Sequence, residues 1–479
     1  MRHVKHIRNF LSIIFLMMEI TADAQKINQT AKRSLAFTHV NVIDVIDGKT
    51  KKNMTVIITG THITAVGYKV SVPKNAVVVN ATGKYLIPGL WDMHVHVFNN
   101  ISQRPPNEYF FPLFIANGVT GIRDMWTKTD EMAQVTIWRK QFYEHPGTIP
   151  RFGSVGTLVD GPPAIWAHSD TVATPEEARH IVHQIKISGV DFIKTYSNLS
   201  RKCYFAIAEE AKKLKIPFAG HVPFVLGADE ASNAGQKSME HSNQILETCS
   251  GKEDELLKIP GNDWSIKYDK LMVDTYDKDK ALKLFSLFAR NKTWQVPTLI
   301  RKQTHYFTDD VSYFTKSKRL KYIPVEEQTT WSPYITKQKN LTNDEKKFRP
   351  IVWQAYLHLV GDMQQTGVKI MTGTDVGTEY IYAGFSLHDE LALLVQGGLT
   401  PLEALQASTK NPAEYLGIQD SLGTIEKGKF ADLVLLDANP LDDIHNTQKI
   451  NAVVANGKYL PRSNLDKLLL QAETFANKK

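Results

Sequence analysis

The chain has 479 residues, 42% hydrophobic and 22% charged. That is ordinary globular usage, long enough for one large domain plus a smaller one, and it excludes coiled coil and wholesale disorder. The formal net charge of +7 comes from Lys and Arg interleaved with Asp and Glu, with no recognition motif beside them, so no nucleic-acid partner is expected.

In chain order, residues 1–24 begin with Arg2, Lys5 and Arg8, continue through an apolar stretch from Phe10 to Met18, and end in Ala22-Asp23-Ala24. This is the layout of a secretory signal cleaved near Ala24. The apolar part is too short to span a bilayer, and Glu19 interrupts it, so no stable membrane insertion is expected. A secreted or periplasmic location follows as an expectation. The two cysteines, Cys203 and Cys249, could then pair or stay free.

From about residue 30 to 87 the sequence alternates short β-rich runs with turn residues, as in "LAFTHVNVIDVIDGKT" and "MTVIITGTHITAVG". The same texture returns at 419–462, in "GKFADLVLLDANP" and "INAVVANGKYL". Neither piece alone covers a sheet, so the two halves are expected to pair into one composite β-sandwich domain split in sequence. Residues 463–479 follow as a C-terminal helix or tail.

The middle, 88–418, has another rhythm. "TPEEARHIVHQIKISG" has Thr174 as N-cap, Pro175 at the first helical position, Glu177 three after the cap and Gly189 as a stop. The strand-like "VDFIKTY", the helical "YFAIAEEAKKLK" and the strand-like "IPFAGHV" come next. This alternation predicts the α/β class, and the length suits a closed (β/α)8 TIM barrel. No glycine-rich phosphate loop supports an open doubly wound sheet. The stretch 249–344, rich in Lys, Asp and aromatic residues, reads as an insertion that is either a solvated excursion or a lid.

"PGLWDMHVHV" opens the barrel. Alternate side chains of a strand share a face, so His94 and His96 project to one side. Lys194, His221, His241 and Asp375 fall at the ends of later apolar runs, the positions that build the active-site face of a barrel. Taken singly, each has a plainer reading: a snorkelling lysine, satisfied core histidines, an N-cap aspartate. Taken together they suit two borderline-soft cations held by imidazole and carboxylate. Four histidines and one aspartate lack a bridging anion. A lysine desolvated at an apolar strand end is partly neutral, and its reaction with carbon dioxide would supply a carbamate.

These motifs, "PGLWDMHVH", "GVDFIKTYS", "FAGHVP", "SMEHS", "TGTDVG" and the closing "LGTIEKGKFADLVLLDANPL", resemble the metal-dependent amidohydrolase superfamily. Within it the chain is similar to the branch of imidazolonepropionase-like proteins and Xaa-Pro or Xaa-Arg dipeptidases. The resemblance implies a binuclear zinc site, two Zn2+ per chain, with other divalent metals admissible. His94, His96 and Asp375 would hold the more buried ion, His221 and His241 the more exposed one, and Lys194, carboxylated, would bridge them. It also implies hydrolysis of an amide, with Asp375 as the proton carrier. Tyr196 is a candidate for polarising the substrate carbonyl, and His168 for binding substrate. Arg123 is read as an internal ion pair with Asp124 or another acid in preference to a substrate ligand.

The expected substrate is a small molecule, a dipeptide or N-acyl amino acid. The alternatives are a cyclic-amide hydrolase or lactonase on the same site, and a non-catalytic scaffold, which retention of all six ligands argues against. A homo-oligomer is compatible with the sequence.

Overall fold

The computed structural model describes residues 34–98, 105–259, 265–306 and 311–478. The expected signal segment lies outside them. Among the described residues no helix is long and apolar enough to cross a membrane.

The strands, in chain order, are Ser34–Ile43 (β1), Thr50–Thr59 (β2), His62–Gly67 (β3), Val77–Asn80 (β4), Tyr85–Pro88 (β5), Leu90–Val95 (β6), Val119–Asp124 (β7), Arg151–Asp160 (β8), Asp170–Thr171 (β9), Phe192–Thr195 (β10), Phe218–Gly220 (β11), Ser238–Glu240 (β12), Trp294–Val296 (β13), Leu433–Leu436 (β14), Ile450–Ala455 (β15) and Lys458–Pro461 (β16).

The two chain ends do meet. One sheet runs β16-β15-β14-β5-β1-β2-β3, with β4 added beside β1, and the junction is the antiparallel pairing of β14 with β5, Leu433 opposite Pro88 through Leu436 opposite Tyr85. The ladder is continuous where two stacked sheets were expected. It is nonetheless curled. Four strand steps separate β1 from β16, about 19 Å if flat, yet the rings of Phe37 and Tyr459 lie 5.8 Å apart.

The hydrophobic pattern explains the curl. Phe37, Val56, Leu86, Leu435 and Val454 form one closed core on the concave face. Ile87, Val434, Leu436 and Val453 point the other way into the main core shared with the barrel. With both faces covered, β14 reads as the unbroken apolar run Leu433 to Leu436 instead of alternating.

The second sheet runs β13-β12-β11-β10-β8-β7-β6, with every neighbour parallel and β9 attached to β8. Segment 369–376 fills the eighth place. Gln295 N donates to Lys369 O (3.0 Å) and Met371 N to Gln295 O (2.9 Å) on one side, while Met93 N donates to Thr372 O and His96 N to Val376 O, both at 2.9 Å, on the other. The eight-fold barrel therefore closes, through a segment too irregular to be a regular strand.

The helix predicted after Thr174 spans Pro175–Ser188, with the Thr174–Glu177 capping box and Gly189 in the left-handed region at φ 81°. The stretch 249–344 is not a single excursion. It contains the helix Lys278–Asn291 and strand β13, both parts of the barrel, and the added material lies on either side of them. The helix Arg462–Ala476 closes the chain, with Phe475 stacked on Tyr109. Cys203 and Cys249 are both buried and unpaired with each other.

Candidate metal centre

Six side chains reach one end of the barrel from five places in the chain. β6 delivers His94 and His96. Behind them the fully buried Asp92 accepts from Thr374 N (3.0 Å), Thr374 Oγ1 (2.6 Å) and His94 N (3.2 Å), which ties β6 to the segment bearing Asp375. Burial pushes the Asp92 carboxyl up to about 6 against those hydrogen bonds. Lys194 stands in β10, and His221 and His241 follow directly on β11 and β12.

His241 and Asp375 adopt φ of 61° and 63°. Side-chain-bearing residues avoid that region at a cost of about 1–3 kcal/mol, and such strain gathers at functional sites.

The rings of His94 and His96 lie 5.3 Å apart, those of His94 and His241 4.5 Å, and those of His221 and His241 4.9 Å. Asp375 Oδ1 is 3.2 Å from His94 Nε2 and 3.1 Å from His96 Nε2. His94, His241 and Asp375 bring their ligand atoms within 4.8 Å of one another.

Three of these imidazoles are pinned by Nδ1: His94 to Glu240 (2.9 Å), His221 to Ser197 Oγ (2.7 Å) and His241 to Thr298 Oγ1 (2.7 Å). A carboxylate only accepts, so His94 donates from Nδ1 and turns the lone pair of Nε2 inward. Nε2 of His94 and of His221 and Nδ1 of His96 are buried without a hydrogen-bond partner, the condition of donor atoms prepared for a cation.

Burial and the nearby Lys194 cation push His96 down to about 4. Burial holds His221 and His241 well below the usual histidine range. Asp375 goes the other way from what burial dictates: the surrounding imidazoles His241, His94 and His96 hold it well below the usual carboxylate range. Lys194, 1% exposed, is brought down to about 8 by burial, partly offset by Asp375, Glu240 and Asp124.

Arg123 is an internal residue. Its guanidinium grips both oxygens of Glu240 (2.8 and 2.9 Å), donates to Met93 O (2.6 Å), and reaches Tyr415 Oη and Ser238 Oγ, each at 3.0 Å. The acid is Glu240 and not Asp124, whose carboxylate instead accepts from Val97 N, Trp126 N and Thr127 Oγ1.

A cavity of about 230 Å³ opens over the cluster. Tyr196 lines it, stacks on His221 at 4.0 Å, and accepts a hydrogen bond from Trp166 Nε1 at 2.8 Å. His168 does not line it: that residue is exposed in the loop between β8 and β9. Conversely, Arg301, Lys302 and His305 enter the cavity from the helix Leu299–Tyr306, and Asn243 from the turn after β12. The sequence signal for the cations was a charged pair one turn beyond β13, hidden within a stretch full of other lysines.

The amidohydrolase family model matches residues 356–460. The chain resembles amidohydrolases. It is 23% identical over 435 residues to the ochratoxinase of Aspergillus niger, covering 85% of this chain and 82% of that one. Among solved structures, bottromycin amidohydrolase superposes with a TM-score of 0.71 at 21% identity, covering 94% of this chain and 92% of that one. A putative prolidase from Bifidobacterium longum does so at 0.65 and 24% identity, covering 92% and 99%. Both solved structures share the barrel-and-sheet fold described above.

Proposed function

We propose that this chain is an exported, binuclear zinc-dependent hydrolase of C–N bonds, acting on a dipeptide or an N-acyl amino acid. The observation that carries the reading is the convergence of four imidazoles with Asp375 and Lys194 at one end of the barrel, with Nε2 of His94 and of His221 buried and without a hydrogen-bond partner. The names of the ochratoxinase and prolidase relatives support amide chemistry.

His94, His96 and Asp375 would hold one ion, His221 and His241 the other, and Lys194, converted to its carbamate, would join them. Two divalent ions in such a site supply an acidified water and a Lewis acid for the scissile carbonyl. The protein's own groups carry the remaining steps. Asp375, ionised at neutral pH, accepts the proton of the attacking water and passes it to the leaving nitrogen. Tyr196 already accepts from Trp166, so its own hydroxyl proton is free for the developing oxyanion; burial raises its pKa and keeps that proton in place.

The test is metal analysis of purified protein, with and without bicarbonate, beside Lys194→Ala. About two equivalents in the wild type and about one or fewer in the variant are expected, given one bridging ligand shared by both ions. Undiminished metal in the variant would remove the bridge from the reading. A panel of dipeptides and N-acyl amino acids assayed beside lactones and cyclic amides separates the substrate classes.

A further inference from the structure

The helix Leu299–Tyr306 serves two cavities. Arg301, Lys302 and His305 line the one over the histidine cluster, while Ile300 and Thr304 line a second, of about 300 Å³, at the lower end of the range of about 300–1,000 Å³ usual for small-molecule sites. Among the described residues the two linings have no member in common. The segment after Asp375 is divided in the same way, with Thr378 in the first lining and Tyr380 and Tyr382 in the second. The added material after β13 contributes Tyr313, Phe314 and Arg319, and the helix Phe385–Gln396 contributes Asp389.

Arg319 and Asp389 are the oppositely charged residues of this second lining, and they pair with each other. Their side chains are 28% and 27% exposed. Arg319 Nη2 lies 3.1 Å from Asp389 Oδ1, and the guanidinium stands 5.9 Å from the centre of the Tyr382 ring. A ligand with a single charge would satisfy one member of the pair and strip the other. A zwitterion satisfies both, its ammonium facing Asp389 and its carboxylate facing Arg319. The walls of Ile300, Phe314 and the tyrosines suit an apolar or aromatic side chain beside those charges.

We propose that this second cavity binds a free α-amino acid with an apolar or aromatic side chain, and that its occupancy adjusts the catalytic cavity. The regulatory half rests on the hydrolase reading, in which an amino acid is a product. The route is short. Asp389 is followed by Glu390, whose carboxyl holds Leu299 N (3.0 Å) and Ile300 N (2.7 Å). A ligand that draws on Asp389 and packs against Ile300 therefore acts on the start of the helix carrying Arg301 and Lys302. Thr378 Oγ1 donates to Asp375 O at 2.8 Å, which ties the loop bearing Tyr380 and Tyr382 to the candidate metal centre.

Calorimetry of the metal-loaded protein with L-phenylalanine reads the site directly. L-Phenylalaninamide, which lacks the carboxylate, and N-acetyl-L-phenylalanine, which lacks the ammonium, are expected to bind at least about tenfold more weakly, the scale of one hydrogen bond to a charged group. The same loss is expected for L-phenylalanine in Asp389→Asn. Tyr313→Ala, at the exposed mouth, leaves the ion pair intact and weakens binding about threefold; thermal unfolding midpoints show that both variants are folded. With a cleaved dipeptide, L-phenylalanine changes the kcat/KM of the wild type about fivefold, at the lower end of common couplings between sites. That effect levels off at a finite rate and disappears in Asp389→Asn. Inhibition that runs to zero rate and persists in Asp389→Asn would put the amino acid over the histidine cluster and overturn the proposal, as would equal binding of the acid and its amide. The stated binding pattern in a protein that hydrolyses no amide supports the site and counts against the hydrolase reading alone.

Discussion

At the scale of single residues, the buried pair Arg123–Glu240 links the floor of the barrel to the candidate metal centre. Tyr415 and Ser238 hold Arg123, Arg123 holds Glu240, and Glu240 holds Nδ1 of His94. Glu240→Gln preserves shape but leaves a guanidinium buried without its counter-charge. The expected loss is about 3–5 kcal/mol of stability, together with a fall in metal affinity of about 10- to 100-fold because one uncharged amide oxygen must then serve Arg123, Ser238 and His94 in place of two carboxylate oxygens. Urea unfolding of the metal-free protein and a competitive metal titration read the two effects separately. Unchanged metal affinity would mean that His94 is oriented without Glu240. The two members of this pair were not equally visible in the sequence. The sequence points to Arg123 as one half of an internal pair with Asp124 or another acid, but its acid lies 117 positions away, and nothing local distinguishes Glu240 from the histidine that follows it.

At the scale of elements, the ends of β6, β10, β11 and β12 were legible because strands with both faces covered are short and apolar, so a polar residue at their ends stands out. Segment 369–376 was legible for the opposite reason, the run "KIMTGTD" being strand-like although it closes the barrel without regular strand geometry. The helix Leu299–Tyr306 was not legible. Its orientation depends on Glu390, a fully buried carboxyl on the helix Phe385–Gln396 that accepts from Leu299 N (3.0 Å) and Ile300 N (2.7 Å) at that helix's start. An acidic cap supplied by a residue 90 positions onward leaves no sequence trace. Glu390→Ala leaves two buried amides unmet and is expected to cost about 2–3 kcal/mol. It also frees the element that carries Arg301 and Lys302, so KM should rise more than kcat falls. Hydrogen exchange at Leu299 and Ile300, together with steady-state kinetics, checks both statements.

At the scale of the whole molecule, the split sheet domain and the barrel share one core, and one histidine records how closely they are joined. His388, on the barrel helix Phe385–Gln396, contacts Thr447 Oγ1 of the segment between β14 and β15 at 3.0 Å through Nδ1, and Asn117 O ahead of β7 at 3.1 Å through Nε2. The β-rich halves were recognisable from alternation, and their pairing followed from the need to cover a sheet, but which residues seal the domains together depends on three-dimensional packing that periodicity does not encode. Burial is the main reason that His388 is pushed down to about 4 from the ordinary 6.5. In the unfolded chain the ring takes up a proton near pH 6.5, whereas in the folded chain it does so only near pH 4. The folded state therefore binds fewer protons across that interval, and its stability falls as the pH drops from 6.5 to 4, by about 3 kcal/mol from this residue at 1.36 kcal/mol per unit. Above pH 6.5 the ring contributes no slope. In His388→Gln, which keeps a polar side chain but cannot titrate, the dependence of the urea midpoint on pH between 6.5 and 4 should be shallower by that amount, while the metal-free protein at pH 7.5 keeps a single unfolding transition. A slope equal to that of the wild type would place the acid sensitivity elsewhere, with the buried histidines of the candidate metal centre as the next groups to replace.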